Sequence, residues 1–266
     1  MSKQGLFDSN HRTAGVRSNS IAHWIVFALI LVFIFFSHRV NALSGAVEQS
    51  RHASINIDGA NQLGYKGQER MMQLVHGLQA FANEDYALAH RILLPLAKTN
   101  VVEAQFYIGM MYDTGLGVER DLAAAFGWYQ FAAYEGHSSA QHNLAVAYAN
   151  GEGVDVDSNK AVYWWKQAAN QGNADAQYNL GIVYAVGKLG IKPNLDKAKN
   201  WWRKAAMNGD GMAQYNLGIL YASAKNEVRS YCEAARWWEQ SVNNGVQQAG
   251  VALEVLKNRK DYYTCW

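Results

Sequence analysis

The segment AQYNLGIVY, residues 176–184, decides the fold because close copies of it recur at a nearly constant spacing. The copies are AQFYIGMMY (104–112), AQHNLAVAY (140–148) and AQYNLGILY (213–221), and successive copies are 36, 36 and 37 residues apart. A period of this length is typical of solenoids, in which each repeat is one small structural unit. The sequence therefore predicts a repeat protein in which every unit packs against its neighbours.

Each copy has the periodicity of an α-helix. When the alanine is counted as position zero, the apolar or small residues at positions zero, four, five, seven and eight share one arc of a helix that turns 100° per residue. In the quoted copy these positions are occupied by Ala176, Leu180, Gly181, Val183 and Tyr184. We expect this arc to be buried, with the small residue at position five allowing a neighbouring helix to approach closely.

A pair of adjacent aromatic residues follows each copy and predicts a second helix in every unit. The pairs are Trp128–Tyr129, Trp164–Trp165, Trp201–Trp202 and Trp237–Trp238. Neighbouring residues on a helix point about 100° apart, so one ring can fill the groove between the two helices of its own unit while the other packs against the adjacent unit. Glycine-containing turns such as TGLGV and NGEGV separate the two helices, and a closing glycine ends each unit.

These motifs, AQYNLGIVY, GEGV and KAVYWWKQAANQG, resemble the Sel1-like repeat family, which is related to tetratricopeptide repeats. The resemblance implies an all-α, right-handed α-solenoid that mediates protein association, commonly in bacterial envelope or signalling assemblies, without catalysis. It covers residues 100–258 well, and residues 67–101 resemble a degenerate first unit. We expect a repeat domain at 67–258, with full units from about residues 102, 138, 174 and 211, a partial unit at 246–258 and a tail at 259–266.

The N-terminal segment predicts contact with a membrane. Residues 24–36, WIVFALILVFIFF, are uninterruptedly apolar, and three basic residues lie in the leader at 1–20. We expect a single-pass inner-membrane anchor at 21–40, a linker at 41–66 and a repeat domain in the periplasm, since basic leaders stay in the cytoplasm. The alternative is a signal peptide cleaved after Ala42, which would leave a soluble periplasmic or secreted protein.

Charge and motif content argue against several other functions. Residues 43–266 contain 20 basic and 21 acidic side chains, so the repeat domain lacks the overall positive charge that nucleic-acid binding requires. The eight histidines lack metal-ligand spacing, and the glycine turns lack the GK[ST] ending of a phosphate-binding loop. We therefore expect no nucleic acid, no metal, no cofactor and no catalytic residue.

The candidate binding residues lie on the first helix of each unit, opposite the predicted buried arc. Positions two and six are apolar or aromatic, and position three is asparagine in three units. The residues are Phe106, Met110, His142, Asn143, Val146, Tyr178, Asn179, Ile182, Tyr215, Asn216 and Ile219. They are suited to a concave groove for a protein or peptide partner. Two alternatives stay open: the residues simply pack between successive units, or the rings and amides bind cell-wall glycans as part of a glycan-processing accessory protein.

The two cysteines, Cys232 and Cys265, predict a possible disulfide that would tie the tail to the last second helix. Such bonds form outside the cytoplasm, where we expect the repeat domain to lie. Two independent thiols are the alternative, and a thiol titration of denatured, unreduced protein distinguishes them.

Overall fold

The computed structural model describes residues 57–223 and 228–258, with side chains at residues 67–223 and 230–258. All regular structure in these ranges is helical. The helices are α1 (Ile57–Ala82), α2 (Tyr86–Lys98), α3 (Val102–Thr114), α4 (Leu122–Tyr134), α5 (Ser138–Asn150), α6 (Ser158–Asn170), α7 (Ala174–Val186), α8 (Leu195–Met207), α9 (Gly211–Ser223), α10 (Val228–Asn243) and α11 (Gln247–Lys257).

The helices form antiparallel pairs that stack in chain order, which is the predicted solenoid. The first helices of the four full units, α3, α5, α7 and α9, begin at residues 102, 138, 174 and 211, as the sequence predicted. The second helices are α4, α6, α8 and α10. Each helix contacts those before and after it, so that the core runs from unit to unit rather than having a single centre.

The predicted buried arc is confirmed in the second and third full units, and in the first full unit at every position except position eight, where Tyr112 is half-buried. The side chains at positions zero and four of all four first helices are fully buried, including Leu144, Leu180 and Leu217. In α9 the arc opens, because Leu220 and Tyr221 are only half-buried.

Polar side chains begin both kinds of helix. Asp85, Asp121, Asp157 and Asn194 precede the second helices, and each accepts a hydrogen bond from the backbone N–H three residues later at 2.9–3.0 Å. His137, Asn173 and Asp210 do the same for α5, α7 and α9. Each such cap contributes about 1 kcal/mol to helix stability. The caps therefore fix the start of three of the four full units, whereas α3 follows Val101, which forms no side-chain cap.

Part of the segment 41–66, which we expect to be a linker, is helical. Helix α1 begins at Ile57. Residues 57–66 lack helical periodicity, yet elongation of an existing helix is easy once a packed part has formed. In α1 that part is Leu74, Leu78 and Phe81, which pack against the first core cluster. Residues 64–266 form one compact unit, and α1 begins in the other, residues 1–63.

Two other predictions lie outside the described residues. The apolar segment at 21–40 and the tail containing Cys265 cannot be compared with the structure, so the anchor and the disulfide stay predictions. Cys232 is half-buried in α10. Among the described helices, none is both long and apolar enough to cross a membrane.

The paired aromatic residues pack as the sequence predicted. The second ring of each pair, Tyr129, Trp165, Trp202 or Trp238, is buried with an exposed fraction of at most 7%. In three units it lies against the glycine at position five of the first helix in the same unit. The first ring turns to the preceding unit: Trp164 meets the ring of Tyr134 edge-on, with 5.2 Å between the ring centroids.

The glycine at position five allows the buried ring to form a hydrogen bond. In α7 and α9, a Cβ at Gly181 or Gly218 would overlap the indole of Trp202 or Trp238. The Nε1 atoms of these indoles donate to the backbone oxygens of Tyr178 (3.2 Å) and Tyr215 (3.1 Å). The second unit has Ala145 at this position, and there the buried Nε1 of Trp165 has no partner among the described residues. Glycine thus decides whether the indole reaches the helix backbone.

We predict that Gly181→Ala destabilises the protein by about 1–3 kcal/mol, although alanine is the better helix former by about 1 kcal/mol. The added methyl group displaces Trp202 and leaves its buried N–H without an acceptor. Urea unfolding measures the change.

The matched control is Ala145→Gly, which should be nearly neutral. Glycine lowers the helix propensity at residue 145, but it allows the Nε1 of Trp165 to donate a hydrogen bond to the helix backbone. Stabilisation by Gly181→Ala would contradict this account, since only intrinsic helix propensity would then decide the effect.

A buried glutamine at position one joins the first helix of each full unit to the preceding second helix. The side chains of Gln105, Gln141, Gln177 and Gln214 are at most 5% exposed. Each Nε2 donates to a backbone oxygen in the last turn of the preceding second helix, at 3.0–3.2 Å. The sequence analysis did not assign a role to this residue, because a polar side chain beside the apolar arc carries no helical periodicity signal.

In three of the four full units, the amide oxygen of this glutamine accepts a hydrogen bond from the residue that follows the second helix of the same unit. The Oε1 atoms of Gln141, Gln177 and Gln214 accept from Gln171, Asn208 and Asn244 at 2.7, 3.2 and 2.8 Å. In the first full unit this position is occupied by Glu135, which has no N–H to donate when ionised. The Oε1 of Gln105 correspondingly has no partner among the described residues.

We predict that Glu135→Gln stabilises the protein by about 1 kcal/mol, because the new amide supplies the donor that Gln105 lacks. The reciprocal change, Gln171→Glu, removes the donor to Gln141 and should cost about 1–3 kcal/mol. Thermal or urea unfolding of the two variants measures both effects. Destabilisation by Glu135→Gln, or stabilisation by Gln171→Glu, would contradict the role of the donated N–H.

Candidate functional site

The eleven candidate residues lie along four successive first helices, and we call this strip the first-helix surface: Phe106, Met110, His142, Asn143, Val146, Tyr178, Asn179, Ile182, Tyr215, Asn216 and Ile219. Ten of them are half-buried, and Ile219 is 43% exposed. α7 and α9 contact each other directly, so the third and fourth units meet within the strip. The surface is therefore neither fully packed nor fully open to solvent.

The rings at position two lie beside the residue that caps the next first helix. Phe106 stacks on His137 with 4.4 Å between the ring centroids. His137 uses Nδ1 to accept from the backbone of Ala140, so its Nε2 carries the proton and donates to Glu103 at 3.2 Å. In the third unit, burial raises the pKa of Tyr178, and the nearby carboxylate of Asp210, another cap, raises it further.

The apolar residues at position six also contribute to packing between units. Met110 and Val146 contact the core cluster of the first two units, and Ile182 contacts the cluster that contains Trp202. Packing between repeats thus accounts for part of the apolar character of the strip. The faces that remain exposed are available to a partner, and the assignment of a binding groove stays a prediction.

His142 is the titratable group of this surface with the least favourable surroundings for a charge. Burial lowers its pKa, and the carboxylate of Asp175 opposes this effect only in part. Its buried Nδ1 has no partner among the described residues. The neutral imidazole is therefore the form that the fold prefers.

A small cavity of about 40 Å³ opens beside the strip in the first two units. Asn143 and Val146 of the first-helix surface line it together with Asp113, Tyr129 and Glu152. The Tyr129 hydroxyl donates to Asp113 at 3.2 Å, and burial, reinforced by that carboxylate, raises the pKa of Tyr129 strongly. The volume is suited to one water molecule rather than to an organic ligand.

Metal-binding chemistry is not built into the described part of the chain. No three His, Cys, Asp or Glu side chains converge there in a way that could hold an ion. His137 and His142, five residues apart in the sequence, have a capping role and a buried position respectively.

The repeat architecture and its motifs agree with one protein family. The family profile described as Sel1 repeat matches residues 102–137, 138–173, 174–210 and 211–246, which together make up more than half of the chain. The chain belongs to the Sel1 repeat family. The four profile matches begin at the residues predicted from the sequence as unit starts, which are also the first residues of α3, α5, α7 and α9. Members of the family serve in general as non-catalytic scaffolds for protein–protein interaction.

Solved structures show the same fold. A Sel1 repeat protein from Oxalobacter formigenes is 29% identical, with a TM-score of 0.63, over 68% of this chain and 73% of its own. A protective antigen of uropathogenic Escherichia coli strains that displays the same fold, c5321, is 30% identical, with a TM-score of 0.64, over 75% of this chain. This Sel1 repeat protein spans only 43% of that antigen. A comparison with curated proteins finds no significant match.

We predict that the stability of this Sel1 repeat protein falls as the pH is lowered from about 7.5 to about 5.5. The lowered pKa of His142 means that the unfolded chain, with a histidine pKa of 6.5, takes up the proton first. The neutral form stabilises the fold above pH 6.5, and this stabilisation is lost as the pH falls towards the folded pKa. His90, whose pKa burial also lowers, acts in the same direction.

The control is His142→Phe, since Phe106 occupies the corresponding position in the first unit. Over the same pH range, the urea concentration at the midpoint of unfolding should fall less for this variant than for the native protein. The fall that remains is the part due to His90. An unchanged pH dependence would show that His142 is not responsible.

Proposed function

We propose that this protein is a non-catalytic scaffold of the cell envelope whose first-helix surface binds a protein or peptide partner. The observation that carries the proposal is the repetition of a half-buried ring and an asparagine at the same two positions of successive units, seen at Tyr178 and Asn179 and again at Tyr215 and Asn216. Rings supply apolar contact area, and amides supply hydrogen bonds to a backbone. A partner that extends along the strip meets the same chemistry at each unit.

The rigidity of the strip supports this function. Position-two rings are held by the caps of the next unit, as in the stacking of Phe106 on His137. Side chains that are already ordered lose little entropy on binding, which leaves more of the interaction energy as affinity. Ile219, the most exposed member, extends the apolar strip to the last full unit.

The glycan alternative is less well supported. Two carboxylates, Asp113 and Glu152, do line one cavity next to Asn143. A cavity of about 40 Å³ is far smaller than the 300–1,000 Å³ that is usual for small-molecule sites, and a hydrogen bond from Tyr129 already occupies Asp113. A protein partner on the open strip needs no such cavity.

We further propose that residues 21–40 anchor the protein in the inner membrane, with the repeat domain in the periplasm. The support is the apolar run at 24–36 and the basic leader before it. Mass spectrometry of the N-terminus of the membrane-extracted protein tests this proposal. An N-terminus at residue 43 would contradict the anchor and show that a signal peptide is cleaved after Ala42.

We predict that Ile219→Glu on the first-helix surface reduces partner recovery by about tenfold or more, because a buried unpaired charge opposes binding. The matched control is Met207→Glu, which places the same charge at a side chain of α8 that is 77% exposed. Affinity capture from membranes with the full chain and both variants measures recovery, and thermal unfolding verifies that both variants fold.

Equal recovery with the three proteins would contradict the assignment of the first-helix surface. Loss of recovery with Met207→Glu alone would instead place the partner on the second helices.

A further inference from the structure

The near-neutral charge of the repeat domain conceals two oppositely charged halves. Residues 84–157 contain ten acidic and three basic side chains, whereas residues 160–204 contain eight basic and two acidic side chains. In a solenoid, units that are separate in sequence are also separate in space. The protein therefore has an acidic segment followed by a basic one, which we call the acidic half and the basic half; residues 205–258 belong to neither.

The turns between the two helices of each unit stack along one edge, which we call the loop edge. It consists of residues 83–85, 115–121, 151–157 and 187–194. A Cβ at Gly117 would lie 2.7 Å from the backbone of Tyr86 in the preceding turn, and one at Gly153 would overlap the backbone of Leu122. In the fourth turn, Leu189 and Ile191 pack against the core cluster that extends from Ala125 to Val183.

The change from acidic to basic side chains occurs along the loop edge. The first three turns carry seven carboxylates and one arginine: Glu84, Asp85, Glu119, Asp121, Glu152, Asp155, Asp157 and Arg120. The fourth turn and the adjoining part of α8 carry five basic side chains and one carboxylate: Lys188, Lys192, Lys197, Lys199, Arg203 and Asp196. All of these side chains are at least partly exposed.

These charges are poorly neutralised within the chain. Among the described residues, the sole ion pair that involves the loop-edge carboxylates is Asp157 with Lys160 at 3.4 Å, and none of the five basic side chains forms one. Three of the five contact aromatic side chains instead: Lys197 lies 5.4 Å from the ring centroid of Tyr184, Lys199 4.3 Å from that of Tyr221, and Arg203 donates to the Tyr221 hydroxyl at 2.7 Å. A cation held by a ring keeps its net charge and can still attract a carboxylate.

The third turn and the start of α8, next to the fourth turn, each present one exposed apolar side chain. Val156 in the third turn is 61% exposed, and Leu195 at the start of α8 is 56% exposed. Val156 lies between Asp155 and Asp157, whereas Leu195 lies between Lys192 and Lys197, with Asp196 beside it. An apolar contact at the centre of charged groups is the usual composition of a specific interface.

We propose that a second copy of this chain docks on the loop edge, with the two edges antiparallel. A twofold axis between the third and fourth turns places residues 151–157 of one copy against residues 187–197 of the other, and the same contact forms twice. Val156 meets Leu195 in each contact, while Glu152 and Asp155 face Lys188 and Lys192. Closed twofold pairing is the commonest arrangement of homo-oligomers, and it pairs unlike charges here, whereas parallel edges would place like charges together.

The charge pattern favours a second copy over other occupants. The acidic and the basic surface are both on this chain, and its small net charge gives two copies little overall repulsion. An anionic bilayer would attract the basic half but repel the acidic turns beside it. A second copy is complementary to both halves at once.

Charge reversal with complementation tests the proposal on the full chain in a non-ionic detergent. The first variant, Glu152→Lys with Asp155→Lys, makes the paired turns basic in both copies, and the second, Lys188→Glu with Lys192→Glu, makes them acidic. Sedimentation velocity at about 50 mM salt should show a dimer for the native chain, at least about tenfold weaker at 500 mM salt because exposed charges are screened. Each variant alone should be monomeric, and an equimolar mixture of the two should restore a dimer.

The control variant reverses two exposed charges away from the loop edge, Glu135→Lys with Lys166→Glu, and should dimerise like the native chain. A native chain that is monomeric at low salt overturns the proposal, as does a mixture of the two variants that fails to pair although both variants unfold cooperatively. Binding of the monomer to phosphatidylglycerol vesicles, lost in the Lys188→Glu and Lys192→Glu variant, would assign the basic half to a membrane surface instead.

Discussion

The structure depends on the fact that no helical pair of this protein can bury its own faces. A first helix of 13 residues presents an arc of apolar side chains together with a buried glutamine amide, and both need partners from two second helices. Gln141 shows the arrangement: its amide nitrogen binds the end of α4 in the preceding unit, and its oxygen accepts from Gln171 at the end of α6. Because a buried amide without partners is costly, this side chain sets the register between units as well as contributing to stability.

The aromatic pairs also need partners from neighbouring units, because their apolar rings have to be buried. In each pair the second ring completes its own unit, whereas the first ring completes the contact with the preceding one, as Trp165 and Trp164 show. The close approach that this needs is set by the small residue at position five, and the comparison of Gly181 with Ala145 shows that a single methyl group decides whether an indole N–H finds an acceptor. The surfaces that remain available for binding are those that stacking of the units does not bury. These are the first-helix surface, for which we propose a protein partner, and the loop edge, for which we propose a second copy.

The stacking also makes the charge pattern meaningful. In a protein with a single core, acidic and basic segments of the sequence can mix in space. In a solenoid they remain apart, since each unit contacts only its neighbours. The total of 20 basic and 21 acidic side chains predicts no general affinity for polyanions, but it conceals that Glu152 and Lys188 belong to successive turns of opposite charge.

The sequence by itself determined the repeat, its boundaries, the two helices of each unit and the buried arc, because periodicity reports directly which residues share a face of a helix. It also predicted the different directions of the two rings in each pair. Only the tertiary structure decided the contacts of Gln105 and its equivalents, the partial burial of Tyr178 and His142, and the start of α1 at Ile57. The physical reason is that hydrogen bonds of buried amides, and the exposed fraction of a ring between two units, depend on the distance between helices that are neighbours in space, and helical periodicity within one unit carries no information about that distance.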